Sequence, residues 1–158
     1  SDLQRARQTA QAISSATGQP VRLLPALRER HFGRCEGLTF EEIAARHEAD
    51  ALALKARAAD YAAAGGETLR QHQLRVLAGV DRLLGEKPEG PVVVVTHGGV
   101  LDILYRRAKA MPLGAPRDFP IPNAGISWLQ ISGDYWEIAS WGETGHLEEA
   151  PETVRFPV

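Results

Sequence analysis

The sequence predicts an α/β fold: a three-layer α/β/α sandwich on a mostly parallel sheet. Two observations carry this. Amphipathic helical stretches alternate with short β-branched runs, and the run at residues 92–95 is four consecutive valines. An unbroken run of that kind marks a strand covered on both faces, as in parallel sheets. A third observation, two alternating segments around Gly133-Asp134, predicts a terminal hairpin.

The elements follow in order. Leu3, Ala6, Ala10 and Ile13 share one face of a helix over residues 2–16, with Ser1 or Asp2 as its cap and Gly18-Gln19-Pro20 ending it. Residues 21–24 are short and branched and predict a strand. Residues 25–38 fit neither period and predict a loop. Thr39 with Glu42 is a capping box opening a helix over about 40–59, with Ile43, Leu52 and Leu54 as its apolar positions. Thr68 with Gln71 caps the next helix, whose buried stripe is Leu69, Val76, Val80, Leu83 and Leu84. After the strand at 92–95 come Thr96-His97-Gly98-Gly99 and a helix over 100–109. The hairpin pairs residues 126–131 with 135–141, and about 142–158 form a polar tail. A single domain over 1–158 is expected.

Composition narrows the function classes. Of the 158 residues, 44% are hydrophobic and 24% charged, as in globular proteins. Eighteen basic residues face 20 acidic ones, a net charge of −2, so no electrostatic footprint for nucleic acid is visible. No apolar run approaches the roughly 20 residues of a membrane span. No charged-then-apolar leader is present, and a cytoplasmic location is expected. The only cysteine is Cys35, which excludes an intrachain disulfide and any zinc site built on several cysteines. His31, His47, His72 and His146 lack metal-ligand spacing, so no metal and no cofactor is expected.

Chemistry concentrates where strands end. Ligands of open α/β sheets bind beyond the carboxyl ends of the strands, and His97 stands two residues after Val95. Gly98 and Gly99 allow a tight turn, and the amides opening the following helix favour an anion. Glu29 lies in the 25–38 loop among Arg28, Arg30, His31 and Arg34. It reads either as a catalytic carboxylate or as a member of a surface ion pair. Arg5 lies off the apolar stripe of its helix. Alone it reads as a solvated arginine, with Arg7 an equal candidate for any binding role. Cys35 beside Glu36 has no context that would activate a thiol. Asn123-Ala124-Gly125 is a turn whose amide could reach a ligand.

Five stretches together resemble the histidine phosphatase superfamily, with its phosphoglycerate mutase-like fold. They are Ser1-Asp2-Leu3-Gln4-Arg5-Ala6-Arg7-Gln8-Thr9-Ala10, the segment from Leu27-Arg28-Glu29-Arg30-His31 through Gly37-Leu38-Thr39, then Gly65-Gly66-Glu67-Thr68, Val93-Val94-Val95-Thr96-His97-Gly98-Gly99-Val100, and Pro122-Asn123-Ala124-Gly125. They occur in the family's order. The resemblance implies that Arg5 grips phosphoryl oxygens, that Glu29 donates a proton to the leaving group, and that His97 stabilises the transferred phosphoryl with Gly98 beside it. Arg28 and Asn123 become candidates for substrate binding. The implied partner is a small phosphorylated metabolite, with neither nucleic acid nor membrane, and a homodimer is compatible with it.

One departure matters. The family's nucleophile is a histidine in an Arg-His-Gly triplet, and no such triplet occurs in these 158 residues. The sequence opens on Ser1 with Met111 as its only methionine, so the expectation is a segment of a longer chain whose first strands precede Ser1. The resemblance implies a phosphomonoesterase with a phosphohistidine intermediate. It allows a cofactor-dependent phosphoglycerate mutase, although mutases carry a longer insertion than the 68 positions separating Glu29 from His97. A non-catalytic phosphoester-binding domain is the third reading, should the nucleophile be absent from the gene product. These residues alone are expected to be inactive.

Overall fold

Both capping boxes form where their spacing places them. In the computed structural model, which describes residues 1–148, Thr39 Oγ1 accepts the Glu42 amide and Glu42 returns a bond to the Thr39 amide. Thr68 and Gln71 do the same one helix later. Each box satisfies two amides that a helix start leaves without partners.

The chain divides into two compact units, Ser1–Arg117 and the part beginning at Asp118. The first unit is helical. Helix α1, Gln4–Thr17, ends at Gly18, whose φ of 72° continues no helix and whose amide closes onto Ser14 O. The predicted cap is absent: no side chain caps α1, and Ser1 Oγ takes the Leu3 amide instead. Residues 25–38 hold two single 3-10 turns, Pro25–Leu27 and Gly33–Cys35. The helix expected over 40–59 is two helices, α2 (Phe40–Arg46) and α3 (Glu48–Lys55), broken at His47. The physical reason lies at Asp50. Its carboxylate is fully buried and is held by Arg34 Nε at 2.7 Å and by the Tyr61 hydroxyl, which fixes α3 in a direction of its own. Leu52 consequently faces solvent, 61% exposed, while Ile43 and Ala51 pack with Cys35 and Ala63. Helix α4 (Leu69–Gly85) buries Leu69, His72, Val76, Gly79 and Val80, and Leu83 and Leu84 are only half-buried. Helix α5 is Gly98–Ala108.

The parallel sheet of the prediction is not formed among the described residues. Residues 21–24 and 92–95 make no strand ladder, and Val92, Val93 and Val94 are 49%, 68% and 41% exposed. A branched apolar run has the side chains of a strand, but a strand exists only through a ladder of hydrogen bonds to a neighbouring strand, and neither run is paired with one among the described residues. The sheet that is present is two-stranded and antiparallel and belongs to the second unit.

That unit is the expected hairpin, β1 (Ile126–Ser132) and β2 (Tyr135–Glu143), around Gly133 in the left-handed region. Half-buried and exposed residues alternate along β1. Trp141 Nε1 donates to Pro120 O at 2.7 Å and its ring meets Phe119 edge to face. Residues 142–148, the first part of the predicted polar tail, include the end of β2 and a short helix. Ile126 pairs with Glu143, the Gly142 amide donates to Ser127 Oγ, and Gly145–Glu148 is a short helix, α6. The rest of the predicted tail lies outside the described residues. No helix among the described residues is long and apolar enough to cross a membrane.

Candidate active site

The loop bearing Glu29 is fixed before any ligand arrives. Leu27 is buried, and its carbonyl accepts the Thr96 hydroxyl at 2.9 Å, which ties the loop to the residue preceding His97. On the other side Arg75 of α4 acts as a clamp. Its guanidinium donates to Ala26 O at 2.8 Å and Arg28 O at 3.2 Å, and grips Glu67 at 2.6 Å. Glu67 in turn accepts the His31 amide. Burial opposes its charge, yet Arg75 and that amide hold the Glu67 carboxyl below its ordinary value. With the backbone so held, the half-buried Glu29 side chain folds onto two amides. Oε1 accepts Arg30 N at 2.8 Å, and Oε2 accepts Gly99 N at 3.0 Å across 70 positions of sequence.

His97 caps α5 in an extended conformation and is 7% exposed. Its Nε2 lies 2.8 Å from Ser1 Oγ, and the Ser1 nitrogen reaches Val95 O at 3.0 Å, so the start of the chain and the His97 turn are bound together. Burial, then the nearby Arg5 charge, holds the imidazole below its ordinary value, while Glu29 acts in the opposite sense. The ring is therefore neutral near neutral pH and becomes easier to protonate when an anion joins it. The first amides of α5 sit in the same turn, at the positive end of the helix dipole.

A cavity of about 1250 Å³ opens beside this cluster, with Arg5, Glu29, His72 and Gly99 in its wall. Three of its arginines are neutralised: Arg28 by Asp2, Arg57 by Asp102 and Arg75 by Glu67. Arg5, Lys55 and Arg117 line it without an ion pair among the described residues. The wall therefore has positive charge to spare for an anionic ligand.

Of the residues singled out from sequence, Arg5, Glu29, His97 and Gly98 come together in the first unit. Arg28 lines the cavity, but its Nε and Nη2 are taken by Asp2, each at 2.5 Å. Asn123 is exposed on a turn of the second unit, closed by the Gly125 amide onto Pro122 O. Cys35 is buried 3.6 Å from Asp50, and burial pushes its thiol up, away from reactivity. Sequence reasoning gave no part in the site to Arg75, to Ser1, read as a helix cap, or to His72, read only as lacking metal-ligand spacing. His72 falls on the stripe Leu69, Val76, Val80, and that spacing alone places it inside. Among the described residues no group of three or more His, Cys, Asp or Glu is placed to hold a metal ion.

The sequence model of the histidine phosphatase superfamily (branch 1) matches residues 1–144. The chain is 37% identical over 153 residues to phosphoglycerate mutase-like protein 4 of Arabidopsis thaliana, covering 94% of this chain and 65% of that protein. It is 32% identical over 150 residues to the metal-independent phosphoserine phosphatase of Arabidopsis thaliana, covering 93% of this chain and 61% of that protein. The chain thus spans less than two thirds of the length of these two relatives. A mycobacterial glucosyl-3-phosphoglycerate phosphatase solved with inorganic phosphate superposes with a TM-score of 0.79 at 31% identity, covering 91% of this chain and 75% of that one.

Proposed function

This chain belongs to the histidine phosphatase superfamily, and from that premise we propose that it serves a phosphomonoesterase working through a phosphohistidine intermediate. The observation that carries the reading is the hydrogen bond from Gly99 N to Glu29 Oε2. It sets a carboxyl group at the turn that presents His97 and the α5 amides, with Arg5 close enough to act on the same imidazole. Names among the relatives point to phosphatases as well as mutases, and the short span between Glu29 and His97 favours hydrolysis.

The chemistry follows from charge. Phosphoryl transfer depends on positioning and on neutralising the equatorial oxygens. Arg5 supplies a fork for two of them. His97 and the α5 amides meet the charge that develops as the bond to the leaving group lengthens. A nucleophilic histidine takes the phosphoryl group. None of the histidines here stands in an Arg-His-Gly triplet, and that role is assigned to none of them. As the P–O bond breaks, Glu29 gives its proton to the leaving oxygen. In the second half Glu29 takes a proton from the water that attacks phosphorus, and phosphate leaves with the histidine restored. The cationic cavity suits a phosphorylated metabolite. In the whole protein the runs at 21–24 and 92–95 take their place in the family's parallel central sheet.

The test is hydrolysis of an aryl phosphate by the protein bearing the family's Arg-His-Gly segment, with and without a chelator. Turnover that survives chelation is expected. Turnover abolished by chelation and restored by a divalent ion would overturn the scheme.

A further inference from the structure

The proposed chemistry leaves one buried side chain unexplained. His72 is 1% exposed, and neither Nδ1 nor Nε2 has a hydrogen-bond partner among the described residues. A neutral imidazole carries one N–H and one lone pair, and leaving both unmet inside a protein is costly. The ring nevertheless sits at the site. A Cβ built on Gly99 would lie 3.0 Å from His72 Cε1 and 2.0 Å from Glu29 Oε1, so imidazole and carboxyl meet over the same glycine.

The charges facing His72 are Arg75 on its own helix, Glu67 just before that helix, and Glu29 and Arg30 from the loop, while α5 meets it with the Gly99 backbone. Burial, then Arg75, holds the ring below its ordinary value, which leaves it neutral. Turning the ring by a half-circle about Cβ–Cγ exchanges Cε1 with Nε2. The two orientations fill nearly the same volume and differ mainly in hydrogen bonding. In the turned ring Nε2 takes the position of Cε1, over the same Gly99 that Glu29 Oε1 approaches.

We propose that His72 is a positioning residue for Glu29, bonded through Nε2 to Oε1 and fixing the direction in which the carboxyl presents its proton. The inference rests on Glu29 being the proton donor. The bond suits both states that Glu29 must visit. With Nε2 protonated, the ring donates to the carboxylate. With the carboxyl protonated, the same N–H donates to its carbonyl oxygen Oε1, so that the acid proton sits on Oε2 and faces the substrate. No net proton is lost to His72 over a cycle.

The experiment has two arms. Nitrogen NMR of the 158-residue chain reads the His72 tautomer directly, and Glu29→Gln should shift both ring nitrogens of His72. Unchanged nitrogens would overturn the contact without reference to activity. In the protein bearing the nucleophile, His72→Leu should lower turnover of an alkyl phosphate about tenfold, with an aryl phosphate falling much less. It should also move the pH profile for the alkyl ester, and His72→Gln, which keeps a donor and an acceptor at the reach of Nε2, should restore most of both. Equal losses with Leu and Gln, or an unmoved profile, would overturn the proposal. Glu29→Gln affecting both ester types equally would instead overturn the reading on which it rests.

Discussion

Gly99→Ala is the smallest change that should disarm Glu29 while removing no proposed catalytic side chain. The backbone tolerates it, because Gly99 lies inside α5 with no positive φ. The space does not. The added methyl would stand 2.0 Å from Glu29 Oε1, and 3.0 Å from both Glu29 Cδ and His72 Cε1. Ordinary carbon contacts begin at about 3.5 Å, so the carboxyl must retreat by roughly 1.5 Å. That retreat breaks its 3.0 Å bond to the Gly99 amide. Misplacement of a reacting group by about 1 Å costs on the order of 100-fold, within the roughly 10²–10⁴ that general acid catalysis contributes. An alkyl phosphate, whose alkoxide needs the proton, should therefore be hydrolysed about 100-fold more slowly, and an acidic aryl phosphate within about threefold of the parent rate. Overpacking costs about 1–3 kcal/mol, and alanine's better helix propensity offsets up to about 1 kcal/mol, so the fold survives with a modest fall in Tm. Steady-state hydrolysis of the two esters and a thermal melt measure both quantities. An alkyl rate within twofold of the parent would refute the placement of the acid.

His97→Ala should slow alkyl and aryl esters alike, by roughly 10²–10³, because phosphoryl charge develops whatever the leaving group; selective loss on alkyl esters alone would contradict that role. The 158-residue chain by itself should bind phosphate weakly through Arg5 and His97 without turnover, and acid-labile, alkali-stable phosphate on His97 would count against this. Hydrogen bonds from Arg34 and Tyr61 hold the Asp50 carboxyl down to about 2, below its unfolded value near 4, so its stabilising contribution is complete above that unfolded value and disappears as pH falls through about 2. Asp50→Asn should lower Tm near neutral pH and flatten the acid limb of a Tm-against-pH curve; parallel limbs for parent and variant would show that the carboxylate contributes nothing specific.

What the sequence makes legible is local. The boxes at Thr39 and Thr68, the stop at Gly18 and the hairpin at Gly133 each depend on residues a few positions apart, and each is present. The break at His47 depends on Asp50 meeting Arg34 and Tyr61, which no period in the chain encodes. The runs at 21–24 and 92–95 show the opposite failure. Their side chains carry the pattern of strands, but pairing is a property of neighbours rather than of the run. For the site, the resemblance named Arg5, Glu29 and His97, whereas the contacts that hold them are long-range. The Thr96–Leu27, Gly99–Glu29 and Arg75–Ala26 bonds span 69, 70 and 49 positions. His72 lies at helical spacing on the stripe of Leu69, Val76 and Val80, but only its neighbours give it a chemical part.

The central claim is that Glu29 protonates the leaving group at a site organised by His97 and Arg5. Its most direct test is the dependence of kcat/KM on leaving-group acidity, from nitrophenol esters to simple alkanol esters, for the parent and for Glu29→Gln. The parent should show a shallow dependence, because a donated proton removes most of the penalty of a poor leaving group. The variant should match it for the most acidic phenols and fall away steeply toward the alkanols. Two parallel lines, displaced equally at every leaving group, would contradict the account.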